Sequence, residues 1–172
     1  MPLWQVAFFV TGPLHARDHF GGAAAWGLVT AAFGAGMATG AAISLLAQPP
    51  RAAQIAAVGS AALALPPLAM AAGLPLPVVM AATALAATGL AMAQIAMRAA
   101  MQHHIPHSVQ GRVAVYSDAA LVLLAPPLYL AVGPLMHAAG PAALQTGCAA
   151  VIAVASLAPL ASPTVRRLAL AQ

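Results

Sequence analysis

The chain has 172 residues, of which 63% are hydrophobic and only 5% charged, with a mean hydropathy of +0.94. An ordinary soluble domain carries roughly a quarter charged residues, so six arginines and two aspartates, a formal net charge of +4, exclude a water-exposed globular surface. The arginines sit at element ends rather than on one face with interleaved aromatic rings, which excludes nucleic acid as a partner and leaves the lipid bilayer as the consistent solvent.

A membrane span needs about 20 apolar residues, and the charges leave room for several. None lies between Asp18 and Arg51, and 46 residues separate Arg51 from Arg98 without one. Glycine and proline punctuation then places spans at Leu3–Ala16, Ala23–Ala47, Ala52–Ala72, Val78–Met97, Val113–Met136 and Pro141–Ala161. The expected fold is an all-α membrane protein of about six transmembrane helices, one bundle over residues 1–172, with 162–172 as a short cytoplasmic tail.

The first span has only 14 residues, roughly 21 Å of helix against about 30 Å of hydrocarbon, and is expected to be a truncated helix. Met1-Pro2-Leu3-Trp4-Gln5 lacks a basic region, so no cleaved leader is expected. In the second span Gly36 and Gly40 have the GxxxG spacing that lets two helices approach closely, as packing or as a gating contact. Spans three and four divide at Gly73-Leu74-Pro75-Leu76-Pro77, where two nearby prolines cannot continue a helix.

Orientation follows from the arginines. In alternating loops, Arg51, Arg98, Arg112, Arg166 and Arg167 share one side as cytoplasmic anchors, and only Arg17, beside Asp18, occupies the other. That asymmetry puts both termini in the cytoplasm. Arginine without lysine beside abundant alanine is the residue usage of a GC-rich bacterial genome, so the expected location is a bacterial inner membrane.

Asp118 is the one carboxylate inside an expected span. An intramembrane acid is costly, and two readings stand. Asp118 faces an aqueous cavity and takes up a proton, its pKa raised by desolvation, or it lies near the cytoplasmic interface and meets water, Tyr116, Gln94 or Arg98. Arg112 is six residues earlier, about 240° around the helix, so an intrahelical ion pair is disfavoured.

His103, His104 and His107 form a patch, but Pro106 interrupts the i, i+4 spacing and no carboxylate or cysteine completes a ligand set. A solvated loop is the expectation there, with no metal and no cofactor. Cys148 is alone and forms no internal disulfide. Pro126, Pro127, Gly133 and Pro134 free carbonyls and bend their helix, in the manner of a gate or of ordinary membrane-helix irregularity. No metalloprotease helix, phosphate-cradling loop or nucleophile elbow occurs, and no enzymatic activity is expected.

Several strings carry a resemblance. Phe20-Gly21-Gly22-Ala23-Ala24-Ala25-Trp26-Gly27, then Ala31-Ala32-Phe33-Gly34-Ala35-Gly36 and Gly40, resemble the eighth-helix region of bacterial major facilitator superfamily transporters of the macrolide- and drug-efflux-like branch. Gln102-His103-His104-Ile105-Pro106 and Gly111-Arg112-Val113 look like the link before that family's eleventh helix, and Pro126, Tyr129 and Gly133-Pro134-Leu135 follow in order. The resemblance covers nearly the whole chain but only the C-terminal six helices of a twelve-helix protein. It implies proton-coupled efflux of a small hydrophobic or amphiphilic substrate, with an N-terminal half or a homodimer partner supplying the other cavity wall. The rival expectation is a non-transporting remnant or a small structural membrane protein.

Overall fold

The computed structural model describes residues 2–47, 52–104 and 107–161, and every element among them is helical. In chain order these are α1 (Pro2–Gln5), a π turn (Val6–Val10), α2 (Thr11–His19), α3 (Ala23–Ala47), α4 (Ala52–Ala61), a 3-10 turn (Ala62–Ala64) and α5 (Leu65–Ala71). They continue as α6 (Leu76–His104), α7 (His107–Ala139), α8 (Pro141–Leu157) and a closing 3-10 turn (Ala158–Ala161). Five stretches are long and apolar enough to cross a membrane: Ala23–Leu46, Gln54–Ala71, Leu76–Gln102, Val122–Ala139 and Pro141–Ala161.

The other expected span, Leu3–Ala16, is helical as well but is not among these five stretches. Pro13 has no N–H for the Phe9 carbonyl and its ring crowds that turn, so the backbone widens into a π turn just before it. Beyond the π turn, α2 carries His15, Arg17, Asp18 and His19 instead of an apolar surface.

Proline shapes the third stretch in the same way. Pro66 and Pro67 cannot donate to the Ala62 and Leu63 carbonyls, and the chain tightens into its 3-10 turn there before resuming as α5. The rod ends in a Schellman motif: Gly73, at φ +65°, donates to the Met70 carbonyl at 3.0 Å, and Leu74 donates to the Ala69 carbonyl at 3.1 Å. Pro77 does not precede α6 but lies in its first turn, where a missing N–H costs nothing, so α6 starts two residues before the expected Val78.

A correction concerns Arg98 to Arg112, expected as the loop between two spans, with its histidine patch solvated. There α6 runs on to His104 and α7 begins at His107; residues 105 and 106 lie outside the described set. Ala99, Ala100, Met101 and Gln102 are good helix formers, so α6 continues past Met97.

Tertiary packing centres on α6, held between α3 on one side and α4 on the other. A methyl at Gly36 would overlap the Ala84 carbonyl and stand 2.8 Å from the Ala87 Cβ. One at Gly40 would overlap the Thr88 carbonyl and stand 2.8 Å from the Ala91 Cβ. Thr88 Oγ1 lies 3.1 Å from the Gly36 carbonyl and 2.8 Å from that of Ala84, so its one proton serves both helices. On the opposite side of α6 a Cβ at Gly89 would come within 2.9 Å of the Gly59 Cα on α4. This closeness of backbones supplies the dispersion contact that holds the helices together.

Aromatic rings fasten the N-terminal segment to α3. Trp4 stacks on Phe8 at 5.1 Å and on Phe33 at 5.4 Å, and Phe8 meets Trp26 at 5.0 Å. Gly12 leaves the space that the Trp26 indole fills. Each such pair contributes about 0.5–1.5 kcal/mol beyond its buried area.

Gly36→Leu should lower stability by about 1–3 kcal/mol, because the added side chain must displace α6 backbone. Gly34→Leu, at a position with open space around it, should change stability by less than about 0.5 kcal/mol. Denaturant titration of the purified protein in detergent checks both, and equal stability of the two variants would show that α3 and α6 do not meet at Gly36.

Candidate functional site

The sequence places its candidate chemistry on α7. His107 opens that helix six residues before the expected start at Val113, so Asp118 stands about three turns into it rather than under two. Its backbone is helical; its side chain lies outside the described residues. The same is true of the side chains of His103, His104 and His107, whose backbones close α6 and open α7.

Helix α7 continues through Pro126, Pro127 and Pro134 without interruption. These prolines leave the carbonyls of Val122, Leu123 and Leu130 without their i+4 donors. Pro126, Pro127, Gly133 and Pro134 are all exposed, as are Val122, Leu123 and Leu130, the last at 80%. Only 6% of Val122–Ala139 is buried, against 39% of Leu76–Gln102. Of the five long apolar stretches, the one on α7, four residues beyond Asp118, is thus the least covered.

Among the described residues its attachments are few. Val132 is buried, and the Tyr129 hydroxyl reaches Gln5 Oε1 at 3.4 Å, a long contact. Between α7 and α8 an apolar cleft of about 410 Å3 remains, reaching Leu3 and Trp4 of the N-terminal segment. Trp4 is 5% exposed, and its indole Nε1 is buried with no hydrogen-bond partner.

Gly36 and Gly40 belong to the α3–α6 contact and lie apart from α7. Arg98 and Arg112 are exposed near the end of α6 and the start of α7; Arg51, Arg166, Arg167 and the whole tail 162–172 lie outside the described residues. Arg17 Nε bonds Asp18 Oδ1 at 3.0 Å, an exposed pair that contributes little. Beside it the His15 and His19 rings stack at 4.3 Å. Among the described residues no cluster of three metal-ligating side chains forms.

One polar contact was not anticipated from the sequence. Gln145 Nε2 on α8 donates to Thr11 Oγ1 at 3.0 Å, and Thr11 in turn donates to the Ala7 carbonyl at 2.7 Å inside the π turn. Thr11 and Gln145 are each 1% exposed. The one amide side chain in α8, among apolar residues and the hydroxyls of Thr146 and Ser156, was the available signal, since a buried amide requires a partner.

Comparison with family models, with curated proteins and with solved structures finds no match to this chain. Fold and composition define a multi-helix chain compatible with embedding in a membrane.

Thr11→Val should cost about 1–3 kcal/mol, since it leaves the buried Gln145 amide without its acceptor. Adding Gln145→Leu should restore most of that loss, because removing both polar partners removes the unpaired group. Stability of the two single variants and the double variant, measured as a thermodynamic cycle, tests the contact. Strictly additive losses would show that Thr11 and Gln145 are not coupled.

Proposed function

We propose that the chain is a multi-pass protein of a bacterial inner membrane and forms one half of a two-half secondary transporter of the major facilitator type. It exports a small hydrophobic or amphiphilic molecule in exchange for protons. The observation that carries this reading is the position of α7. A helix with an acid in its third turn and three internal prolines stands on an open flank, as one wall of a cavity would if the facing wall belonged to another half. The five-to-one distribution of arginines supports a cytoplasmic location for the α6–α7 junction.

On this reading Asp118 is the proton carrier and needs water access from a cavity between the halves. Prolines 126, 127 and 134 loosen the hydrogen bonding of α7 where the two halves rock, and the α3–α6 contact keeps the rest of this half rigid. The facing half is a separately encoded or fused N-terminal bundle, or a second copy of this chain.

Membrane vesicles holding the chain together with a facing half encoded beside it should export an amphiphilic cation such as ethidium when a proton gradient is imposed. Asp118→Asn keeps the shape of the side chain but cannot ionise; it should abolish gradient-driven export and leave insertion and downhill exchange intact. Unchanged gradient-driven export in the variant would remove Asp118 from the coupling step. Lack of any export with every facing half, this chain included, would favour a non-transporting membrane protein.

A further inference from the structure

We propose that the last turn of α2 is a pH-sensitive latch: it stays docked beside the turn joining α5 to α6 while His15 is neutral, and swings away when His15 takes a proton. Between the two turns lies a cleft of about 390 Å3, with His15, His19 and Phe20 on one wall and the stretch from Gly73 to Leu76 on the other. This end of the bundle is opposite the α6–α7 junction, and α2 lies outside the five stretches long and apolar enough to cross a membrane.

His15 is the sensing group. Its ring stacks on His19 at 4.3 Å and meets Phe20 edge-on at 5.1 Å, and its Nε2 is buried with no hydrogen-bond partner. A neutral ring protonated on Nδ1 leaves only a lone pair unpaired there. A second proton would put a charged N–H where neither an acceptor nor water reaches it, so the charged ring must leave its site. Burial, and after it the neighbouring His19, hold the His15 imidazole below the usual histidine range, against a smaller opposite pull from Asp18. Arg17 and Asp18, bonded to each other at 3.0 Å, are the other charged groups on α2. The π turn, α3 and α5, which pack against α2, carry no titratable side chain, nor does the turn from Ala72 to Leu76. Closure is therefore complete above about pH 6.5, the ordinary histidine value, and is lost as pH falls below it. The start of α2 stays in place, because Thr11 bonds Gln145 and Gly12 receives the Trp26 indole. After its last turn Gly21 and Gly22, at φ +82° and +104°, form the joint about which that turn swings. The proposal concerns a movement within this chain and stands apart from the transporter reading, so its failure leaves transport to be judged separately.

Fluorine NMR follows the latch without altering its charges. The full chain, made with 4-fluorophenylalanine at its four phenylalanines and placed in phosphatidylcholine nanodiscs, gives a Phe20 resonance that Phe20→Leu assigns. A water-soluble gadolinium chelate broadens that resonance according to its exposure. From about pH 7.5 to about pH 5 the broadening should rise about threefold, with its midpoint below about 6.5, while the fluorine of the buried Phe8 stays protected. The ring resonance of His15, followed in carbon-13-histidine protein, should titrate over the same interval. His15→Gln and His15→Leu cannot take the proton, and each should keep Phe20 as protected in acid as at neutral pH; His137→Gln should keep the full response. Titration of the His15 ring with no change at Phe20 would overturn the proposal. So would a Phe20 response that survives in either His15 variant, or loss of protection at Phe8 together with Phe20, which would mean that the whole N-terminal segment unfolds.

Discussion

The approach of α6 to α3 and α4 is the constraint on which the rest of the bundle depends. At the centre α6 meets its neighbours through small side chains, the mode of contact used by helices in lipid. Dispersion between closely placed backbones and a few internal hydrogen bonds hold that centre together. Gly36, Gly40, Gly59 and Gly89 create the closeness, and Ala84, Ala87 and Ala91 are small enough to use it. Thr88 adds the hydrogen bond that crosses from α6 to the Gly36 carbonyl. A larger side chain at any of these glycines would push two rods apart along much of their length.

Around this centre the remaining elements attach by different means. The N-terminal segment uses aromatic rings against α3 and the buried Thr11–Gln145 bond against α8, which suits a backbone interrupted by a π turn. In α7 only 6% of Val122–Ala139 is buried, so most of the apolar surface of that stretch is uncovered. The bundle thus combines a closely packed centre around α6 with one helix whose described apolar residues are largely uncovered. The cleft beside Trp4 and the exposed proline-bearing side of α7 are adjacent expressions of the same loose attachment.

Much of this layout was legible in the sequence, because glycine, proline and charge act locally. The Ala23–Ala47 helix, the Gly73 turn and the start at Pro141 fall where punctuation predicts them. The GxxxG spacing marked a close contact, but its partner face of Ala84, Ala87, Thr88 and Ala91 looks like any alanine-rich run until the two helices are brought together. Helices α6 and α7 run longer than the charge pattern predicts, because an arginine does not end a helix whose neighbouring residues favour it. The N-terminal π turn and the Thr11–Gln145 bond were illegible for a different reason: each depends on where a distant or proline-bearing segment comes to rest. Of the candidate site, the sequence marks Asp118 and the α7 prolines, and tertiary structure adds that their helix is the uncovered one.

Tryptophan scanning of α6 and α7 is the measurement that reaches the account most directly, because it asks of each position whether it faces a packed backbone or open space. Ala84→Trp, Ala87→Trp and Ala91→Trp should each abolish recovery of monodisperse folded protein, since the indole has nowhere to go against α3. Leu123→Trp and Leu130→Trp on the exposed side of α7 should be recovered at wild-type yield with unchanged thermal stability. Tolerance of tryptophan along α6 together with intolerance on α7 would contradict a bundle built around α6.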